Sequence, residues 1–252
     1  TLMYPSEISA IRSYFEGGRS AGIFLLDPGY RTGLEPVLEA WSIVLNGDIV
    51  VEKSTVGRTL GMDYSMPAVA SYARHPVTEK HEGMMTVFQI AQSLGQRGTV
   101  PGVTHTKLAM TSRTSWGETD LSSLKSRSVP SFDPATDLQG PLTLAVALEG
   151  ELNTKLRAKT DHSNRSARIV VFGDSDFANN QLLSMQGNAD LFLNAVSWAV
   201  DEGSRISIRP KTRGYRPLTL SVSEGQWIKL FSMLFIPGVP VILGLLVWWR
   251  RR

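Results

Sequence analysis

From Leu230 to Trp249 the chain runs twenty residues without a charge, "LFSMLFIPGVPVILGLLVWW". At about 1.5 Å per residue a helix of that length spans ~30 Å, the thickness of a bilayer's hydrocarbon core. Trp227 stands before the run and Trp248 and Trp249 close it, where amphipathic rings favour the headgroup region. Arg250, Arg251 and Arg252 follow at once. A buried core helix is the competing reading, but it gives no reason for a tryptophan pair abutting three arginines. The sequence therefore predicts a membrane helix over 227–249, with Pro237 and Pro240 kinking it. Membrane helices accept prolines where neighbouring helices satisfy the freed carbonyls. The arginines favour a cytoplasmic tail at 250–252 and a large domain on the other side.

The remainder is nearly neutral. The 252 residues carry 26 basic and 23 acidic side chains, and three of the positives are the terminal arginines. That balance gives no case for nucleic acid. The absence of cysteine excludes disulfides, thiolate nucleophiles and cysteine-ligated metals. Residues 1–20 hold no apolar run that would serve as an export signal. Either something upstream exports the domain, or the domain is cytoplasmic and tail-anchored.

Along the chain, the spacing of Ile8, Ile11 and Phe15 predicts a helix, capped by Ser6 and ended by Gly17 and Gly18. An apolar strand follows from Gly22 to Leu26. Next come a helix presenting Leu34, Val37, Leu38 and Trp41, and a strand over 48–52. This alternation predicts a layered α/β domain over 1–204 with a mostly parallel sheet. Residues 86–94 read as a short helix or apolar segment, and 103–112 as a strand. Residues 113–140 read as surface loop with a short helix near Asp120–Leu124. "LTLAVALEG" places Leu142, Leu144, Val146 and Leu148 on one strand face, and 151–168 reads as an exposed polar loop. A strand over 168–172 precedes a helix near Phe177–Leu183. A last helix carries Phe192, Ala195, Val196, Ala199 and Val200 on one face. Residues 205–226 form a basic juxtamembrane connector, suited either to anionic lipid or to solvent.

Two clusters carry candidate chemistry. The strand "RIVVF" breaks into Gly173-Asp174-Ser175-Asp176, with Asn179 beyond. A Gly-Asp-Ser block resembles that of GDSL-type esterases, but such a serine needs a histidine base later in the chain. All four histidines (His75, His81, His105 and His162) come before it. Asp174 and Asp176 are hard oxygen ligands for Mg²⁺ or Ca²⁺, with Asp27, at another strand end, as the available partner. The structural alternative is a strand-to-helix turn. There Asp and Ser side chains cap exposed N–H groups, and Gly173 takes up an unusual backbone angle. The second cluster is "HPVTEKHEGM". His75 and His81 with Glu79 and Glu82 have transition-metal donor types without the zinc-protease spacing. As a structured loop, His75 orients the turn and Thr78 caps it. No phosphate-binding loop is present and no cofactor is called for.

Taken in order, "EISAIRSYFEGGRSAGIFLLDP", "HPVT", "LTLAVALEG", "RIVVFGDSDFANN", "GNADLFLNAVSWAVDEGSRISIRPK" and the final apolar segment resemble the GldG-like family. These are auxiliary components of ABC-type transport systems, linked in some bacteria to gliding motility. The resemblance implies an extracytoplasmic α/β domain similar to class I glutamine amidotransferases, and association with an ABC permease and its ATPase. Those amidotransferases use a cysteine, which this chain lacks, so the activity is not implied. The resemblance also implies that a first strand and an upstream membrane helix belong to an earlier part of a longer protein, or to an N-terminal half on a separate chain. The resulting expectation is a non-catalytic, membrane-anchored accessory subunit. A tethered hydrolase or metal-binding protein using the 173–176 turn, and a structural scaffold, are the alternatives.

Overall fold

The computed structural model describes residues 2–16, 20–53, 61–81, 83–120, 130–150, 166–200, 230–233, 237–238, 240 and 244–251. The chain divides into two units, Thr1–Arg205 and Ile206–Arg252. In chain order the elements of the first are α1 (Pro5–Glu16), β1 (Ala21–Leu25), α2 (Glu35–Ala40), β2 (Ile43–Leu45) and β3 (Ile49–Val51). Then come β4 (Ala68–Val69), β5 (Ser71–Tyr72), β6 (Thr86–Val87), β7 (Leu94–Gln96) and β8 (Val103–Met110). β9 (Trp116–Glu118), β10 (Leu138–Gln139), β11 (Thr143–Gly150), β12 (Ala167–Phe172), a 3₁₀ turn (Asp176–Ala178) and α3 (Asn188–Ala199) complete it.

β12 organises the domain because its side chains alternate between two apolar layers. Ile169 and Val171 pack with Phe15 of α1 and with Val37, Leu38 and Trp41 in and after α2. Val170 and Phe172 pack with Phe177 and with Leu191, Ala195 and Trp198 of α3. A strand covered on both faces needs apolar residues at every position, which is why 169–172 carries no polar residue. The five-stranded sheet runs β1-β12-β11-β8-β5. Only β1 and β12 are parallel; the other three pairings are antiparallel. The sheet is mixed, which corrects the expectation of a mostly parallel one. Continuous apolar runs report burial of both faces, and burial does not fix strand direction.

Several local expectations are also corrected. α1 begins at Pro5, so Ser6 lies inside it. The N-terminal bond comes from Glu7, whose Oε2 accepts the Tyr4 N–H at 2.7 Å, the returning half of a capping box. Leu142, Leu144, Val146 and Leu148 do not share a face. A bulge near Leu144 and Ala145 puts both on the α3 side, while Val146 and Leu148 lie on the α1 side. Residues 86–94 are an apolar segment without a helix: β6 and β7 flank a passage that buries Phe88 and Ala91 but turns outward at Ile90, which is exposed with φ 55°. Within 113–140, β9 is buried and joins β3 and β10 in a three-stranded sheet. Residues 121–124 of the expected short helix lie outside the described residues, as does 151–165.

The helix expected over 177–183 is one 3₁₀ turn. Asn179 Oδ1 accepts the N–H groups of Gln181 at 2.8 Å and Leu182 at 2.9 Å, a local bond that competes with helix propagation. α3 buries Leu191, Ala195, Trp198 and Ala199, whereas Val200 is exposed.

In the second unit residues 230–233, 237–238, 240 and 244–250 are helical. Pro237, Pro240, Trp248, Trp249 and Arg250 occupy helical positions, and Arg251 follows in a turn. Trp227, Arg252 and the connector 205–226 lie outside the described residues. Among the described residues no helix is long and apolar enough to cross a membrane.

Candidate functional site

Parallel strands end at the same margin of a sheet, so the residues after β1 and β12 emerge side by side. Leu25 pairs with Phe172, and two and three residues on Asp27 meets Ser175. The Ser175 N–H donates to Asp27 Oδ1 at 2.6 Å, and the Ser175 hydroxyl donates to Asp27 Oδ2 at 2.7 Å. Both carboxylate oxygens are thereby engaged by one residue 148 positions away. Short bonds to a carboxylate are the stronger kind, and this one ties the two strand ends together.

Asp174, the preceding residue, is fully buried. Its Oδ2 accepts the Gln89 N–H at 2.8 Å and its Oδ1 accepts the Asp176 N–H at 2.7 Å. Burial pushes its pKa up to about 7. The nearby Asp176 and Asp27 carboxylates add to the rise, and the two N–H bonds oppose it. Asp174 thus anchors the passage 88–93 to the end of β12. Gly173 belongs to the same contact. Its carbonyl accepts the Gln92 N–H at 2.7 Å, and a Cβ at 173 would run into the Gln92 carbonyl oxygen. The glycine is required for close approach. Gly173 is not among the residues with positive φ, which corrects the backbone-angle expectation. The Gln92 amide finishes the junction by donating to the Leu26 carbonyl at 2.9 Å.

The capping expectation is corrected in its assignment. Ser175 does not accept from the following turn; its hydroxyl donates to Asp27, and Asp174 is the capping acceptor. Asp176 Oδ1 accepts from the Asn179 side-chain amide at 3.2 Å. Asp27, Gly173, Asp174, Ser175, Asp176 and Asn179 are therefore brought together, but the carboxylates are turned to different partners. Among the described residues no group of three or more His, Asp or Glu side chains is placed to hold a metal ion.

The 75–84 segment forms a separate turn. The His75 carbonyl accepts the N–H groups of Thr78 and Glu79, both at 2.8 Å, and His75 Nδ1 accepts the Val77 N–H at 3.2 Å. The Thr78 hydroxyl donates back to the carbonyls of Ala73 and His75. The His75 ring stands edge-on to Trp198, 4.7 Å between centroids. His81 goes elsewhere, against Tyr72 and with Nε2 at 3.2 Å from the Gly187 carbonyl. Burial pushes both imidazoles down. Glu82 lies outside the described residues. His105 Nε2 bonds the Trp41 carbonyl at 2.7 Å. None of the described histidines bonds Ser175, and His81 Nδ1 is buried without a hydrogen-bond partner.

Three buried polar groups carry weight the sequence did not advertise. Asp48 accepts both the N–H and the hydroxyl of Ser93 at 2.7 Å, and burial raises its pKa. Gln92 spans the junction described above. Asn188 bonds the Val87 N–H and carbonyl, each at 2.8 Å, and the Phe177 carbonyl at 3.0 Å. The signal available was polar residues inside apolar runs, as in "FQIAQSL", where a buried amide must find backbone partners.

Chemically the corner is a lock. Ser175 has a carboxylate partner and, among the described residues, no imidazole; Asp174 is sealed from solvent. The second unit shows the opposite character: Leu230, Phe231, Met233, Leu245, Leu246, Val247, Trp248 and Trp249 are all more than half exposed.

The family described as ABC-type uncharacterized transport system matches over residues 7–197. No curated protein matches the chain. Among solved structures the chain is similar to the one described as mmIFT52 N-terminal domain. The identity is 12% and the TM-score 0.52, over 79% of this chain and 72% of that one. At that identity the likeness is one of fold.

Proposed function

This chain belongs to the family of ABC-type transport-system auxiliary components, and from that premise we propose that it is a non-catalytic, membrane-anchored accessory subunit. The observation that carries this reading is the run of exposed apolar side chains on helical residues between 230 and 249. Patches of that kind mark lipid or partner contact. In this reading 227–249 is the membrane segment, Trp248 and Trp249 sit at the headgroups, and Arg250, Arg251 and Arg252 face the cytoplasm. The domain 1–204 works outside the cytoplasm, joined by the basic connector 205–226. An ABC permease and its ATPase are the partners, and the chain supplies binding surface while the ATPase supplies energy. The resemblance to the gliding-associated GldG-like branch supports the same assembly.

The corner formed by Asp27 and Asp174 supports the non-catalytic side of the proposal, since Asp27, Asp174, Ser175 and Gln92 are engaged in holding two strand ends and the passage 88–93 together. Purification of the full chain from its source membrane in mild detergent tests the reading. Recovery with a permease and an ATPase in fixed ratio is the expected result. Recovery of the chain alone would overturn it.

A further inference from the structure

A strand at the margin of a sheet turns half of its backbone donors and acceptors away from the ladder, and proteins usually shield them. Among the described residues β5 and β1 are the two margins of the five-stranded sheet. β5 is only two residues long, and the Tyr72 hydroxyl there lies 2.8 Å from both the Val69 carbonyl and Thr86 Oγ1. β1 is five residues long, with no charge and no proline.

The ladder to β12 fixes which residues of β1 face outward. Arg168 N–H donates to the Ser20 carbonyl and Leu26 N–H to the Phe172 carbonyl. In a parallel pair alternate residues bond the neighbour. Ser20, Gly22, Phe24 and Leu26 therefore face β12, and Ala21, Ile23 and Leu25 face out. The Tyr14 hydroxyl takes up the first of these, accepting the Ala21 N–H at 3.1 Å and donating to the Ala21 carbonyl at 3.3 Å. Among the described residues the outward N–H and C=O groups of Ile23 and Leu25 have no backbone partner.

We propose that this edge pairs with the same edge of a second copy of the chain, antiparallel, about a two-fold axis at Phe24. The two open residues are placed symmetrically about Phe24. Ile23 then exchanges both bonds with Leu25 of the second copy, and Leu25 with its Ile23, so four bonds use every free group. Phe24 meets its own counterpart in the non-hydrogen-bonded position, where opposed side chains approach most closely. Its ring already lies 5.9 Å from Phe15 and 6.0 Å from Trp41, so pairing merges two aromatic groups. With no charge on the strand, two-fold pairing sets no like charges against each other. Tyr14 on Ala21 ends the ladder. The contact is isologous and closed, and it stands whether or not the transport assignment does.

The test uses the full chain in mild detergent. The protein has no cysteine, so Phe24→Cys introduces its only thiol. Wild type is expected at dimer mass by light scattering. F24C is expected to form a covalent dimer on mild oxidation, while Tyr30→Cys, at an exposed position, does not. Ile23→Pro removes an outward N–H and places its ring there, leaving the bonds to β12 intact. It is expected to weaken dimerisation at least tenfold with an unchanged circular dichroism spectrum, and this holds even where F24C folds poorly. A monomeric wild type, an I23P variant that dimerises as tightly as wild type, or a Y30C cross-link as fast as that of F24C would overturn the proposal.

Discussion

The two units of the chain draw on the same residue types and place them in opposite surroundings. In the first, Phe88, Phe172, Phe177 and Leu191 are fully buried by other parts of the same domain. In the second, Phe231, Leu245, Leu246, Trp248 and Trp249 stand more than half exposed. Residue type therefore does not by itself set burial; the surrounding elements do. Buried apolar groups in the domain are covered within it, whereas the described large apolar side chains between 230 and 249 are more than half exposed, as the proposed lipid or partner contact requires.

Glycine gives the sharpest way to break this contrast. Gly173→Val drives side-chain atoms into the Gln92 carbonyl, and a backbone collision inside a core is expected to cost more than about 4 kcal/mol. Thermal unfolding by circular dichroism should show the domain's transition lost or shifted down strongly.

A pH titration of stability reads the buried corner next. Asp174, with a native pKa of about 7, keeps a proton that the unfolded chain releases near pH 4. Its contribution to stability is therefore greatest below about pH 4, falls as pH rises from about 4 to about 7, and is level above. The span is roughly 4 kcal/mol. Asp174→Asn should flatten that slope. It should also destabilise at low pH, because its amide would face one of the two backbone N–H donors. An unchanged slope in chemical denaturation across this range would remove Asp174 from the account.

Leu191→Ala, in the layer beneath α3, is expected to cost about 3 kcal/mol in the same unfolding measurement. In the second unit, replacing both Trp248 and Trp249 with Ser should leave the domain's transition in place. It should weaken partition into lipid vesicles at least about tenfold, since burying one large apolar side chain is worth about 1.5–3 kcal/mol. The smallest effect belongs to Gly244→Val. A Cβ there meets nothing within 4 Å, so domain stability should change by less than about 0.5 kcal/mol.

Strands and helices with long apolar runs were legible in the sequence: β1, β8, β11, β12, α1 and α3 lie where the patterns put them. Strand direction was not. Runs such as 169–172 record that both faces are covered, and β11 beside β12 turned out antiparallel. The bulge at Leu144 and Ala145 was also hidden, because a shift of one residue changes the face without changing the composition. At the site, the nearness of Asp27 to the turn after β12 was readable from two strand ends, but the sequence offered it as a cation ligand with Asp174 and Asp176, whereas it bonds Ser175. The roles of Asp174 and Gly173 were not readable: the polar residues inside "FQIAQSL" signal buried amides that need backbone partners, but not that Gln89 and Gln92 meet Asp174 and Gly173.

Flotation on lipid vesicles after detergent removal tests the anchored-module account most directly, comparing the full chain with one ending at Arg205. The account predicts that the full chain rises with the vesicles while the shortened one stays at the bottom, folded, with the same near-ultraviolet circular dichroism. A full chain that remains dissolved and monodisperse without lipid or detergent would contradict it.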